Sequence, residues 1–371
     1  MTPQLSWRRA LAWRMARHHL ITRAEPTDLA RVAGDLCGLH AQVMSCAELS
    51  LWARIDDLSR EQVREALWTR RTLVKLWAAR GTLYLLPSAG LRTWLAALST
   101  LPKFGNAGHP VIDELTGAVG RALDGRTLSR DELAGQVAQI TGSPDLGELV
   151  RSSWGSYLKA ASFRGLLCFA ESQGAQVRFT SPRTWVPEAL DRAREEDPDT
   201  ALRDVTRQFL ARYAPVTPGE VAAWWVGPPQ PRRGLAMLRS LGDQAVEVEI
   251  EADRAWALAQ DVPGLTSAAA PDVARLLPAF DPWVISAPRR EPVLSPERVR
   301  QVYRPQGWIS PVMIVNGRTA GVWRHARTGT RLTVELSPFD RLPPWARGQL
   351  ETEAERLAVF AGGNLSVTWA E

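Results

Sequence analysis

The feature that most constrains this chain is a pattern of helices followed by a β-hairpin, which the sequence repeats three times. Two strand-like runs joined by a short turn occupy residues 72–87, 166–180 and 245–260, and helical patterns precede each pair. Helices closed by a two-stranded wing are the plan of a winged helix-turn-helix unit. We therefore predict an α+β, mostly α, fold that contains three tandem winged helix-turn-helix units.

Helix boundaries are indicated by periodicity and by capping residues. Ser59 with Gln62, Ser129 with Glu132, and Thr217 with Glu220 have the spacing of a capping box, which satisfies two backbone donors at a helix start. Predicted helices cover residues 5–22, 27–37, 46–55, a segment from Ser59, 113–123, 130–140, 147–162, 200–213, 218–226 and 231–241.

The last hundred residues follow a different, β-rich pattern. Asn316-Gly317 stands between the strand-like runs 312–315 and 318–324, and this dipeptide is the strongest short signal for a type I′ hairpin. A strand at 330–336, a helix at 344–361 and a strand at 364–369 follow. The predicted division is 1–90 for the first winged helix, 91–186 for the second, 187–270 for a linker and the third, and 271–371 for a C-terminal β-rich domain.

Composition excludes several classes of protein. No apolar run is long enough to span a membrane, the N-terminus lacks a signal-peptide layout, and the chain reads as cytoplasmic. Cys37, Cys46 and Cys168 have no paired metal-ligand spacing, and an odd count gives no disulfide framework. The histidines His18, His19, His109 and His325 share no metal-ligand spacing either, so we predict no metal and no cofactor. The net charge of +5 permits a polyanionic partner without requiring one.

The segment from Gly38 to Glu48 carries the most suggestive polar residues. Ser45 and Glu48 have capping-box spacing, so a helix is expected to begin near Ser45. His40-Ala41-Gln42 would then be an extended connector, in which His40 and Gln42 point to the same side. Two such side chains beside a helix start can hold a water molecule or a ligand. Alternatively, both satisfy only local backbone groups.

Several motifs, taken in order, resemble the AlkZ/YcaQ-type bacterial DNA glycosylases, which unhook bulky and crosslinking N7-alkylguanine lesions. The motifs are Gly-Leu-His-Ala-Gln at 38–42, Ala-Arg-Gly-Thr-Leu-Tyr-Leu-Leu-Pro at 79–87, Ala-Ala-Trp-Trp at 222–225, Leu-Leu-Pro-Ala-Phe-Asp at 276–281, Val-Asn-Gly-Arg at 315–318 and Gly-Val-Trp-Arg at 321–324. The resemblance implies three winged helices and a C-terminal β domain in a C shape around a DNA channel. It also implies a Gln-apolar-Gln or Gln-apolar-Asp motif at 40–42, of which Gln42 matches the second polar position. His40 departs from that motif, as does Tyr84, where a histidine is common.

The chemistry of such a reaction suits these two side chains. Hydrolysis of an N-glycosidic bond passes through an oxocarbenium-like sugar, and a base alkylated at N7 is already a cationic leaving group. Positioning a water molecule therefore contributes more than acid catalysis. The amide oxygen of Gln42 can orient the water, and neutral His40 can accept its proton. No lysine lies near the motif (the first downstream is Lys75), which favours monofunctional hydrolysis, although folding could bring Lys75, Lys103 or Lys159 close.

Five further residues are candidates for DNA contacts, and all of them except Tyr84 have a simpler alternative. Arg80 could touch phosphate or be a surface arginine at a hairpin base, and Tyr84 follows on the second strand. Asp281 could face the sugar cation or cap the turn set by the proline that follows it. Arg318 and Arg324 could reach the minor groove from the Asn-Gly hairpin, or that hairpin could simply be solvated.

Charge clustering leads to a prediction about the partner. Residues 8–23 and 318–331 are basic runs without acids, and we expect both to line one channel for double-stranded DNA containing alkylated bases. Because the three units differ from one another, we expect a monomer, which is associated with the nucleoid when it is bound to DNA. The rival interpretations are a non-catalytic winged-helix regulator or architectural factor, which should dimerise on a two-fold site, and a fold kept for protein contacts alone.

Overall fold

The structure, a computed structural model, describes residues 2–101, 109–152, 155–190, 196–286 and 293–370 and has a mixed α+β fold. About half of the chain is helical, and the strands form open sheets. None of the described helices has both the length and the apolar character needed to span a membrane. Part of the predicted linker, residues 191–195, and Lys103 lie outside the described residues.

The helices are mostly short and have varied amphipathic character. The first nine are α1 (Trp7–Arg17), α2 (Leu29–Asp35), α3 (Met44–Trp52), α4 (Arg60–Arg64), α5 (Leu91–Leu98), α6 (Pro110–Leu123), α7 (Arg130–Thr141), α8 (Pro144–Ser152) and α9 (Ser156–Phe163). The others are α10 (Pro182–Trp185), α11 (Pro198–Tyr213), α12 (Pro218–Val226), α13 (Pro231–Arg239), α14 (Val262–Ser267), α15 (Pro282–Ile285), α16 (Val299–Val302) and α17 (Pro344–Ala361).

The strands are mostly paired as hairpins. They are β1 (Gln4–Leu5), β2 (Leu39–His40), β3 (Leu73–Trp77), β4 (Leu83–Pro87), β5 (Thr127–Ser129), β6 (Cys168–Gln173), β7 (Gln176–Thr180), β8 (Ala245–Ile250), β9 (Asp253–Leu258), β10 (Ala274–Leu277), β11 (Val312–Val315), β12 (Arg318–Thr328), β13 (Arg331–Pro338) and β14 (Asn364–Trp369). The order β10-β11-β12-β13-β14 forms a five-stranded sheet, with only the last pair parallel.

The chain divides into two compact units. Unit 1 comprises residues 1–63, 208–224 and 230–371, and it contains the sheets β1-β8-β9 and β10 to β14. Unit 2 comprises residues 64–207 and 225–229, and it contains the β3–β4 hairpin and the sheet β5-β7-β6. The four-segment division predicted from the sequence stays a prediction.

All four predicted hairpins are confirmed. The antiparallel pairs are β3–β4, β6–β7, β8–β9 and β11–β12. Asn316 and Gly317 both have positive φ values, of 51° and 80°, as a type I′ turn requires. The strand, helix and strand predicted at the C-terminus match β13, α17 and β14 closely. Local turn chemistry was therefore sufficient to locate these elements.

The capping predictions separate into three confirmed and one wrong. Side chain and backbone bond reciprocally at Ser59 with Gln62, at Ser129 with Glu132 and at Thr217 with Glu220. The capping box at Ser45 and Glu48 is not formed, because α3 begins at Met44 and Val43 is its N-cap residue. Ser45 therefore lies inside the helix, too late to cap it.

The largest differences in helix bounds are in the segment 147–162 and in the first helix. The segment predicted as one helix over 147–162 is divided into α8 and α9, and Gly155 precedes α9 with a φ of 86°. A Cβ at Gly155 would lie 2.8 Å from Cζ2 of Trp77, so only glycine fits this position. The first helix is also shorter than predicted at both ends. Leu5 pairs with β8 instead, and the helix ends at Arg17, two residues before His19, which has a φ of 56°. Helix α5 was not predicted.

Candidate active site

The connector that carries His40 is set up by the end of α2. Cys37 and Gly38 both adopt left-handed conformations, with φ values of 56° and 88°, and their N–H groups donate back to Gly34 and Ala33. This reversal ends the helix and releases the chain as the short strand β2. His40 is 9% exposed and Ala41 is fully buried, whereas Gln42 is exposed. The two polar side chains therefore have different surroundings.

The His40 ring is held by an aromatic neighbour from a distant part of unit 1. It stacks on Phe280, with ring centroids 5.2 Å apart and an interplanar angle of 21°. Phe280 has a φ of 58°, which is unusual for a residue with a bulky side chain. Trp308 packs edge-to-face on the same phenyl ring, with centroids 4.9 Å apart. His40 is thus the innermost member of a three-ring group.

A buried ion pair anchors the backbone beside Phe280. Nη1 and Nη2 of Arg54 donate to the two carboxylate oxygens of Asp281 at 2.7 Å each, and both side chains are 0% exposed. Asp281 also accepts a hydrogen bond from the N–H of Trp283 at 2.9 Å, as the N-cap residue of α15. The capping alternative for Asp281 is therefore confirmed. Its carboxylate faces the interior, bound to Arg54.

Cys46 lies near the same carboxylate but is not activated. Burial raises the pKa of its thiol to about 11; a hydrogen bond from Ser45 opposes this shift, and the charge of Asp281 adds to it. A thiol with such a pKa stays protonated at neutral pH and is a poor nucleophile. The imidazole of His40 and the exposed amide of Gln42 stay the candidates for chemistry at this site.

A second histidine, His18, lies deep in unit 1 behind this region. Its ring packs edge-to-face against Tyr213 and Trp283, and its Nε2 is 3.1 Å from the carbonyl oxygen of Arg212. Burial lowers the pKa of His18 well below its ordinary value, and the charges of Arg54 and Arg14 lower it further. His18 is therefore neutral and structural.

Arg80 and Tyr84 both belong to unit 2. Nη2 of Arg80 donates to the Tyr84 hydroxyl at 3.1 Å, and Arg80 has a φ of 59° in the turn between β3 and β4. Tyr84 is only 4% exposed, so its interactions are mainly internal. Lys75 lies in β3, where burial lowers its pKa and its ammonium group is 5.5 Å from the centre of the Phe169 ring.

The Asn316-Gly317 turn is only partly solvated, because Asn316 and Arg318 are exposed whereas Gly317 packs inside unit 1. Gly317 is buried, and a Cβ there would lie 2.9 Å from Cβ of Leu11 in α1. The Asn316 side chain accepts from the N–H of Val273 at 2.8 Å, which fixes the turn to the neighbouring strand. A longer exposed stretch is at residues 324–331, where β12 ends and β13 begins.

The basic runs are used in two ways. Arg14 binds the carbonyl oxygen of Tyr213 in the interior, Arg17 pairs with Asp261, and Arg23 pairs with Glu353, so these charges are occupied by the fold. Arg8 and Arg318, however, line one cavity of about 260 Å³. Arg9, Arg324, Arg327 and Arg331 are exposed as well, and a channel lined by both runs stays a prediction.

Arg324 is one of several exposed arginines of the C-terminal sheet. Its side chain is 77% exposed, and Nη2 lies 2.6 Å from a carboxylate oxygen of Glu335 on the next strand. Sequence reasoning missed Arg54, Phe280 and Trp308. The Phe-Asp-Pro-Trp run indicated Asp281 as a candidate. No sequence pattern predicts that its neighbour Phe280 packs on His40, which is more than 200 residues away in the chain.

Known proteins resemble this chain in sequence and in fold. Residues 33–360 match the family model described as DNA glycosylase AlkZ-like. The interstrand DNA cross-link repair glycosylase of Streptomyces sahachiroi is 34% identical over 373 residues, covering 96% of this chain and 97% of that protein. The solved structure of the Streptomyces sahachiroi DNA glycosylase AlkZ matches with a TM-score of 0.87 and 32% identity, over 99% of this chain and 100% of that one. With a profile and a fold that agree over nearly its whole length, this chain belongs to the AlkZ-like DNA glycosylase family.

Proposed function

We propose that this glycosylase removes bulky N7-alkylated purines from double-stranded DNA, including those that form interstrand crosslinks. The observation that carries the proposal is the arrangement of two polar side chains. His40 stacks on Phe280, and Gln42, two residues later in the chain, is exposed. The relative from Streptomyces sahachiroi, whose name states cross-link repair, supports the substrate class. Membership of a glycosylase family favours an enzyme over a non-catalytic regulator.

In the proposed reaction the alkylated base leaves as a neutral group from a cationic nucleotide. The amide oxygen of Gln42 orients a water molecule on C1′, and neutral His40 accepts the proton that this water loses. The stacked phenyl ring fixes the imidazole plane, which favours a single direction for proton transfer. The reaction is monofunctional hydrolysis and needs no covalent enzyme intermediate.

DNA binding is proposed to involve both units. Three winged helices and the C-terminal β-rich domain surround a duplex channel, which Arg318, Arg324 and Arg80 help to line. Tyr84 contributes through its hydrogen bond from Arg80. Asp281 has an indirect role in this proposal. Its buried carboxylate, paired with Arg54, holds the backbone next to Phe280. The enzyme acts as a monomer in the cytoplasm and is associated with the nucleoid when bound.

The two roles at the site are tested by measuring excision under single turnover across pH, with a duplex containing N7-methylguanine and alkaline cleavage of the abasic product. Gln42→Ala should lower the rate by about 10²- to 10³-fold with little loss of binding, the usual effect of removing one group that acts in the transition state. His40→Gln should remain active but lose the dependence on a group that titrates near neutral pH.

Gln301→Ala is a matched control, because it removes another exposed glutamine of unit 1. It should leave the rate and its pH profile unchanged. Equal pH profiles for the parent and His40→Gln would exclude His40 as the base. Full activity of Gln42→Ala would return this pair to the simpler role of satisfying local backbone groups.

A further inference from the structure

Trp308 is exposed to an extent that the fold itself does not require. Among the described residues, four large apolar side chains are exposed, and Trp308 is the aromatic member, at 49%. The other three are Val111, Val177 and Val359. An indole ring that is half in water forgoes much of the stabilisation that its burial would give. Its position therefore calls for another explanation.

A short loop closed by backbone hydrogen bonds presents this ring. Tyr303 and Ile309 form an antiparallel bridge, and the N–H of Arg304 donates to the carbonyl oxygen of Trp308 at 2.8 Å. Gln306 and Gly307 both have positive φ values, of 60° and 77°, which makes the reversal tight. The backbone thus fixes the place of the indole before any ligand arrives, which reduces the entropy lost on binding.

Ring contacts connect Trp308 to the reacting residues. Its indole packs edge-to-face on Phe280 at 4.9 Å, and Phe280 stacks on His40 at 5.2 Å. One end of this column is the nearly buried imidazole, and the other end is the exposed indole. A planar group that stacks on Trp308 would therefore lie two ring contacts from the proposed base.

Positive charge accompanies the exposed ring. Arg300 and Arg304 are exposed and lie within the same short segment of chain. Neither forms an ion pair with another residue that the structure describes. Aromatic rings interspersed with unpaired cations are the usual surface for a nucleic-acid strand with an unstacked base.

We propose that Trp308 is a stacking platform for a planar aromatic ring of the damaged DNA, and that it contributes to substrate specificity. This inference rests on the proposed function. The ring comes either from a nucleobase that the lesion has unstacked or from an aromatic adduct attached to N7. Both present a flat π-face of similar size to the indole.

The test compares Trp308→Leu, which keeps an apolar side chain without a ring, with Trp308→Tyr, which keeps a ring. Excision is measured under single turnover and subsaturating enzyme on duplexes containing N7-methylguanine or N7-(naphthylmethyl)guanine. Trp308→Leu should be slower by about 5- to 150-fold, the range found when a base-stacking aromatic residue is removed, and Trp308→Tyr should recover most of the rate. Val359→Ala, which shortens another exposed apolar side chain of unit 1, should match the parent protein.

A second readout reports stacking independently of catalysis. Duplexes that carry 2-aminopurine beside a 2′-fluoro N7-methylguanosine, which resists hydrolysis, are titrated with each protein. Duplexes with the fluorescent planar adduct itself serve for the second source of the ring. The parent and Trp308→Tyr should change the emission of the stacked probe on binding, and Trp308→Leu should not.

The outcomes separate the sources and the two proposals. A loss by Trp308→Leu on both substrates identifies a nucleobase, and a loss confined to the naphthylmethyl substrate identifies the adduct. Parental rates and emission changes for Trp308→Leu on both substrates would overturn the inference. If the parent protein bound both duplexes but released neither base, the proposed function would fail, while the emission change would still decide whether Trp308 stacks.

Discussion

Two arginine–carboxylate pairs of unit 1 have nearly the same length and opposite surroundings. Arg54 and Asp281 lie 2.7 Å apart, both at 0% exposure, whereas Arg324 and Glu335 lie 2.6 Å apart with 77% and 31% of their side chains exposed. The distance between the charged groups alone therefore says little about what each pair does. The two pairs differ in how completely folding has removed water from their charged groups.

The buried pair acts on the fold. Desolvated partners depend on each other, because removal of either leaves an uncompensated charge in the interior. Here the pair also holds the backbone on which Phe280, and through it His40, are placed. The exposed pair contributes little to stability, so Arg324 can exchange its carboxylate for a phosphate at small cost. Solvent exposure therefore distinguishes a charge that stabilises the fold, as in the buried pair, from a charge that can bind another anion, as in the exposed pair.

The largest expected effect is on the buried pair. Asp281→Ala should lower the free energy of unfolding by about 3–5 kcal/mol, because it leaves Arg54 buried without its partner. Glu335→Ala, the matched change in the exposed pair, should cost less than about 1 kcal/mol. Urea unfolding of both variants checks this difference. Similar losses in the two variants would contradict the division between structural and available charge.

The two turns at the ends of β12 extend the comparison to the backbone. Gly317 and Gly329 have φ values of 80° and 60°, but a Cβ at Gly317 would meet Leu11 at 2.9 Å, whereas Gly329 has nothing within 4 Å. An L-residue in this conformation costs about 1–2 kcal/mol at either place. Overpacking should add about 1–3 kcal/mol for Gly317→Ala alone. Thermal unfolding of both alanine variants measures the gap, and equal midpoints would show that the Asn316-Gly317 turn is looser than described.

The interior should also respond to pH. The pKa of His18 is lowered in the folded protein, so below its unfolded value of about 6.5 the unfolded chain binds a proton that the folded chain does not. Stability from this group is therefore complete above about pH 6.5 and falls by up to about 1.4 kcal/mol per pH unit below it. His18→Gln should remove this contribution, so the free energy of unfolding should fall less steeply between pH 7 and pH 5, by up to about 1.4 kcal/mol per pH unit.

The exposed His109→Gln provides the control for this pH effect. Urea unfolding at several pH values should give His109→Gln the same slope as the parent. An unchanged slope in His18→Gln would mean that the imidazole accepts its proton inside the fold.

The smallest effect on stability is expected for the exposed arginines, whose replacement should mainly affect DNA binding. Replacing Arg318 and Arg324 with Ala should change the free energy of unfolding by less than about 0.5 kcal/mol each. Affinity for undamaged duplex should fall steeply with salt in the parent, and the slope should decrease by about 1 for each phosphate that an arginine no longer neutralises. Arg239→Ala removes an exposed charge elsewhere in unit 1 and should leave the slope unchanged. Weak salt dependence in the parent would contradict a role for this surface in DNA binding.

Sequence reasoning succeeded where the determining contacts are local. The Ser129–Glu132 capping box and the Asn316-Gly317 turn each depend on residues within a few positions, and both formed as predicted. The same reasoning failed at Ser45, where a one-residue shift of the helix start removed the cap. Local rules locate an element, but they leave its ends open by a residue or two.

Tertiary contacts explain what the sequence left undetermined in the candidate site. His40 was identified because its residue type suits the chemistry, but its partner Phe280 is separated from it by most of the chain. The burial of Gly317 against α1 likewise depends on a helix near the other terminus. For Asp281 the sequence supported two roles, and only its hydrogen bond from the Trp283 N–H and its pairing with the buried Arg54 distinguished between them. No spacing rule encodes contacts of this range.

The left-handed conformation of Phe280 has a consequence for how the site can evolve. Its backbone would be relaxed by glycine or asparagine, while its phenyl ring supports His40 and meets Trp308. No natural amino acid satisfies both demands at once. A library at this position that is selected for thermal tolerance should therefore enrich glycine and asparagine, and one selected for survival under alkylating agents should retain phenylalanine. The two selections would diverge at a residue that need not touch the reacting bond.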